Sequence, residues 1–175
     1  MKQKLFFLAW QTNKLLKKQR LLKRKNVPFN KSKQIGVLYS AAGNDKQREV
    51  GRFVASLSKE GKQVKVLRYK AKDIVDAQEP QNTDSFGIEH LSFWGKMKNE
   101  GVAAFIQAPF DFLFCLDEEL PHQLTRHVLV QSQAKCRVGG YYGDEASQFF
   151  ELMISPGKAG LKSLTHDMLH YAKLI

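Results

Sequence analysis

Residues 110–116 read Phe-Asp-Phe-Leu-Phe-Cys-Leu, apolar except for Asp111. A strand with one wet face alternates apolar and polar residues. A run without alternation needs cover on both faces, the condition of a central strand in a parallel sheet. The rest of the chain supplies that cover. Residues 34–40 form a second compact apolar run, and a turn follows at 41–45, where Asn44 or Asp45 can cap a helix. That helix runs to about residue 60, with Val50, Phe53, Val54 and Leu57 at the i, i+3, i+4, i+7 spacing of a core-facing stripe. Gly61 stops it, and 63–69 reads as the next strand, completing a βαβ unit. Residues 70–85 are polar and read as loop. A short strand is expected within 86–93, helices over 95–107 and 118–133, strands at 135–139 and 149–154, and a last helix over 161–172. Gly139 to Gly143 reads as a flexible loop. The alternation predicts one α/β domain over 34–175, Rossmann-like, with a mostly parallel sheet and helices on both faces.

A basic helix precedes that domain. The 175 residues carry a formal net charge of +11, but the excess is local. Residues 1–33 hold eleven basic side chains and no acidic one, whereas 34–175 hold seventeen of each. This excludes a uniformly basic, histone-like polypeptide. Residues 3–25 lack Gly and Pro and read as one amphipathic helix, with 26–33 as a short polar hinge. Leu5, Leu8, Leu15, Leu16 and Leu22 share an arc of about 120°, and Lys14, Lys17, Arg20, Arg24 and Lys25 lie opposite. Phe6, Phe7 and Trp10 point to the basic side. Four roles fit such an arm: a solvated face on a docked helix, contact with RNA or the ribosome through phosphates, rest on an anionic membrane surface, or binding of other proteins. Its leucine face could also pair two chains into a homodimer. The apolar run Leu5–Trp10 is too short to span a bilayer, and no cleavage site follows it. The expectation is a cytoplasmic protein, with peripheral attachment to the inner membrane surface as the alternative. Cys115 and Cys136 sit inside apolar runs and read as inert buried thiols.

From Phe86 onward the chain resembles a family of small uncharacterised proteins from Bacteroidetes, a domain of unknown function. The segments Leu91-Ser92-Phe93-Trp94-Gly95-Lys96, Phe110-Asp111-Phe112-Leu113, Ser132 to Gly139 and Phe149 to Ile154 carry the resemblance. The basic helix and first βαβ unit look like that family too, which brings no known activity. Residues 111–139 also look like the N-terminal Rossmann-like domain of heptosyltransferase-type glycosyltransferases. There too a strand with an early Asp leads through a leucine-rich helix to an Ala-Lys/Arg-x-Arg-Val/Ile-Gly strand. Those enzymes need a second Rossmann-like domain for the sugar nucleotide, so the resemblance implies a shared scaffold and carries over no catalytic residue.

No motif names a reaction. The loop after the first strand, Ser40-Ala41-Ala42-Gly43-Asn44-Asp45, matches neither the dinucleotide fingerprint nor the P-loop. Ser40, Gly43 and Asn44, with Asp45 in the same candidate ligand site, could still present backbone N–H groups to an anion at the helix N-terminus, in the crevice where open α/β sheets bind ligands. Asp117, with Glu118 and Glu119, stands where a carboxylate would act or hold Mg²⁺; favouring a helix N-terminus is the plainer account. Tyr141 and Tyr142 could stack a base or sugar. His166 and His170 have a chelating i, i+4 spacing, but no third ligand follows. No cofactor, metal or sequence-specific DNA motif is found. The expectation is a non-catalytic binding or scaffold protein with a polyanionic partner, RNA or the ribosome first. The alternatives are a membrane-surface protein and a reduced glycosyltransferase-like or nucleotide-binding enzyme.

Overall fold

A computed structural model of the chain describes residues 2–19, 24, 27–71, 83–94 and 96–175. Six strands form one sheet: β1 (Gln34–Ser40), β2 (Gln63–Tyr69), β3 (Thr83–Phe86), β4 (Phe112–Cys115), β5 (Cys136–Gly140) and β6 (Leu152–Ile154). Their order is β3-β2-β1-β4-β5-β6, and every neighbouring pair is parallel. This is a single Rossmann-like α/β fold. The order reverses between β1 and β4, which opens a crevice at their carboxyl ends.

β4 lies at the centre and all four of its residues are buried. Phe112 and Phe114 enter one core with Ile35, Val37 and Tyr39 of β1. That core is covered by α2 (Gly43–Lys59) through Phe53 and Leu57, and by α5 (Leu161–Ala172) through Leu164 and Met168. Leu113 and Cys115 enter the opposite core. There α3 (Glu100–Gln107) contributes Val102 and Phe105, and α4 (Gln123–Gln131) contributes Leu124 and Val128. Close packing explains two strand glycines. A Cβ on Gly36 would stand 2.8 Å from Leu113 and Phe110, and one on Gly139 would run into the Phe150 ring.

Several boundaries differ from the sequence expectation. β3 precedes the 86–93 window and meets it only at Phe86, because Thr-Asp-Ser-Phe at a sheet edge needs no apolar run. α3 begins at Glu100, where the Asn99 side chain accepts the Val102 N–H at 3.0 Å. α4 begins only at Gln123, after Pro121, with the His122 ring accepting the Leu124 N–H at 3.2 Å. Gly139 and Gly140 belong to β5 rather than to a loop. Nor is the 26–33 stretch loosely polar where it is described. Phe29 is buried with its ring 5.4 Å from Phe112, and Lys62 donates to the Phe29 and Ser32 carbonyls.

The first helix, α1 (Lys2–Gln19), is packed onto the domain along α4. Leu8 and Leu16, two members of the leucine face offered above for chain pairing, are buried in the α3/α4 core of their own chain. Between them Thr12 donates its hydroxyl to the Leu8 carbonyl at 2.8 Å. That hydroxyl has one proton, so the 2.8 Å contact to His127 of α4 is donated by the imidazole Nδ1–H. Coverage on both sides explains why six of the nine residues of α4 are buried.

Two outcomes test this docking. Leu8→Ala should cost about 2–5 kcal/mol in urea unfolding, whereas Lys14→Ala, on the exposed face, should stay within about 0.5 kcal/mol. Burial lowers the pKa of His127 to about 4. Between about pH 6.5 and 4 the unfolded chain binds a proton there that the folded chain refuses, so stability falls as pH drops through that window, by up to about 3 kcal/mol. Burial and then Arg126 lower His122 as well. The measurement is therefore the difference in pH-dependent Tm between wild type and His127→Gln, which should have the flatter profile.

Candidate functional site: the crevice and the outer face of the first helix

The crevice at the switch point is a cavity of about 630 Å³. β1 ends in Ser40, β4 leads into Asp117, and α2 begins beside them, so three of the expected ligand-binding elements meet. Asp117 is nearly buried, and its carboxylate takes the donors around it. Its Oδ1 accepts the Ser40 N–H at 2.8 Å and the Lys46 ammonium at 2.6 Å, and its Oδ2 accepts the Ser40 hydroxyl at 2.8 Å. These are the groups a phosphate would use. The protein's own carboxylate holds them, a role different from capping α4. Among the sequence-expected residues, Gly43 has a left-handed φ of 65° at the start of α2, and Asn44 is exposed beside it. Asp45 is exposed and paired with Arg48. Glu49, Glu118 and Glu119 also line the cavity, against Lys46 and Lys162. Lys46 is committed to Asp117 and Glu49 is paired with Arg52, so a phosphate entering here meets Glu118 and Glu119.

The tyrosines part company. The Tyr142 hydroxyl donates to the Asp117 carbonyl and receives the Gly140 N–H at 3.1 Å; burial, then Cys115, pushes its pKa up. It braces the Asp117 turn. Tyr141 is half exposed, with its hydroxyl 3.4 Å from Asp144. The thiols are buried and free: burial and then Asp117 push Cys115 well up, and burial and then Glu151 push Cys136 up to about 12. Among the described residues no cluster of three or more His, Cys, Asp or Glu is arranged to hold a metal ion, and His166 is an exposed neighbour of Asp167. Asp111 lies at the other end of the sheet. Burial pushes its pKa up, but the Lys135 ammonium and the Lys33 and Gln34 amides outweigh that and hold it below the ordinary range.

The basic residues also divide. Lys2, Lys14, Lys17 and Lys18 are exposed on α1 and have no ion-pair partner among the described residues. Arg24 faces inward. Its guanidinium donates to the Ser132 and Ala134 carbonyls and stands 3.4 Å from Glu151, which also holds Arg137 at 2.6 Å. Burial and then Arg137 lower the Arg24 pKa. Arg24 is a clamp on β5 and its flanks rather than a free cation. Arg20, Lys25 and Leu22 lie outside the described residues. Sequence reading quoted Phe93 and Trp94 for the family resemblance but gave them no role; they stand exposed beside α1 with Phe6 and Trp10. An i, i+4 stripe, Lys2-Phe6-Trp10-Lys14-Lys18, was the signal for half of that patch.

The family model for a family of unknown function, DUF6913, matches residues 4–175. The chain belongs to that family. The match takes in α1 and the α/β domain together. No curated protein and no solved structure matches the chain. Among the described residues no helix is long and apolar enough to cross a membrane.

If Asp117 fills an anion site, vacating it should open one. Asp117→Ser should lose about 2–4 kcal/mol, because Lys46, largely covered, is left without this partner. Inorganic phosphate should then raise the Tm of Asp117→Ser by several degrees and leave wild type unchanged. An equal response of both proteins in a thermal-shift assay would contradict the assignment.

Proposed function

We propose that this DUF6913 chain is a non-catalytic binding protein whose polyanionic partner docks on the outward face of α1. One observation carries this reading. Lys2, Lys14, Lys17 and Lys18 stand exposed, with no ion-pair partner among the described residues, on a helix whose other face is locked into the domain by Leu8, Thr12 and Leu16. The cationic face is therefore presented in fixed form, and binding needs no folding of the helix. The crevice supports an enzyme reading less well, because Asp117 holds the donors a nucleotide phosphate would need. RNA, the ribosome and an anionic bilayer at the cytoplasmic side all meet the charge requirement.

The test separates this face from overall basicity. Lys14→Glu, Lys17→Glu and Lys18→Glu together should elute from immobilised heparin at much lower salt than wild type. The same charge change at Lys59, Lys65 and Lys158, all exposed elsewhere, should move elution far less. Wild-type affinity should fall roughly 50- to 150-fold between about 50 and 200 mM salt if four phosphates or sulfates are contacted. Equal loss in both triple variants would remove the docking face.

A further inference from the structure

We infer that the polyanionic partner is an anionic lipid bilayer, received by the outer face of α1 together with the turn at 92–96. This rests on the docking face proposed above and adds its apolar half. Phe6 is 70% exposed, Trp10 57%, Trp94 64% and Phe93 49%. They come from two segments more than eighty residues apart and are brought to one place. Phe7 lies between them, its ring 6.0 Å from Phe6, 6.0 Å from Phe93 and 5.5 Å from Trp94. The turn is closed by the Ser92 N–H to the Lys96 carbonyl at 2.8 Å. Two bonds fasten it to α1: Lys4 to the Leu91 carbonyl at 2.8 Å and Gln11 to the Trp94 carbonyl at 2.7 Å. Phe6, Phe7, Phe93 and Trp94 are joined ring to ring, with Trp10 one turn along the same helix face from Phe6, and such an exposed apolar patch marks an interaction surface.

Charge surrounds this patch on the same side. Lys2 and Lys14 flank Phe6 and Trp10 on the stripe, and Lys96 and Lys98 lie exposed on and just beyond the turn. Neither residues 1–33 nor residues 90–99 contain an acidic side chain. Lysines around exposed Phe and Trp are the composition of an interfacial helix on anionic lipid. RNA is the poorer fit. Its phosphates and bases favour arginine, which forks onto phosphate and stacks on bases. The described arginine of this region, Arg24, is turned into the domain. A groove of about 630 Å³ beside the stripe adds a second feature. Its floor includes Leu15, Met97 and Ile106, and Lys14 and Lys96 stand at its rim. An apolar chain under a cationic rim is what an anionic lipid brings.

The chain contains two tryptophans, Trp10 and Trp94, and both lie in the patch, so intrinsic emission reports directly on it. The full chain is titrated with phosphatidylcholine vesicles, with vesicles containing about 30 mol% phosphatidylserine, and with poly(U). Anionic vesicles should shift the emission to the blue and shield it from acrylamide, and phosphatidylcholine alone should do so weakly. Phe93→Ala and Trp94→Ala should each weaken vesicle binding by about tenfold, with Trp10 still reporting in the second, while the Tm falls by no more than a few degrees, because about half or more of each side chain is exposed although it rests on the Phe7 ring. Vesicle binding without a blue shift, or binding unaffected by either aromatic substitution, overturns insertion of the patch. Binding of poly(U) with no response to vesicles leaves the docking face standing and overturns the lipid assignment. No response to any of the three overturns both.

Discussion

A strand with no wet face sets the rest of this molecule. β4 places Phe112 and Phe114 in one core and Leu113 and Cys115 in the other, so apolar cover is obligatory on both sides of the sheet. α2 and α5 supply one cover and α3 and α4 the other. The second is incomplete without α1. α4 turns Leu124 and Val128 inward and leaves His127 and its neighbours for a further layer. The Leu8-Thr12-Leu16 face of α1 provides it. What looks from the charge pattern like an appendage is a structural layer whose far side happens to be cationic.

Polar satisfaction follows the same economy. Both carboxylates near the ends of β4 are committed. Asp111 gathers Lys33, Gln34 and Lys135 at the amino ends of the central strands, and Asp117 gathers Ser40 and Lys46 at their carboxyl ends. They fasten β1 to β4 at both ends, across the point where the strand order reverses. In many open α/β sheets this point is kept free for a ligand. Here it is stitched, and the exposed lysines of α1 lie on another part of the surface.

Local pattern made β1, β2, β4, β5, α2 and α5 legible, because continuous apolar runs and i, i+3, i+4, i+7 stripes respond to burial by the nearest layer. β3 was not legible, since an edge strand with Thr, Asp and Ser has no apolar signature. The leucine stripe of α1 said that a face is buried but not against what. The partner of Thr12 is 115 residues away. Distance also hid the role of Asp117: its donors Ser40 and Lys46 lie 77 and 71 residues upstream. Arg24 read as one more cation on a basic helix, and only Glu151 and the 132–134 carbonyls reveal it as a clamp. Lys14, Lys17 and Lys18 kept the place the helical wheel gave them, because an exposed face needs no partner.

The docking of α1 on α4 has a consequence for the order of synthesis. α1 leaves the ribosome well before α4, which follows only after about a hundred more residues, roughly 5–20 s later at usual elongation rates. Throughout that interval Leu8 and Leu16 have no core to enter, and a helix of this length is only marginally stable alone. The nascent chain therefore shows both its leucines and its lysine-aromatic stripe at once. Completion of α4 hides the first set and leaves the second.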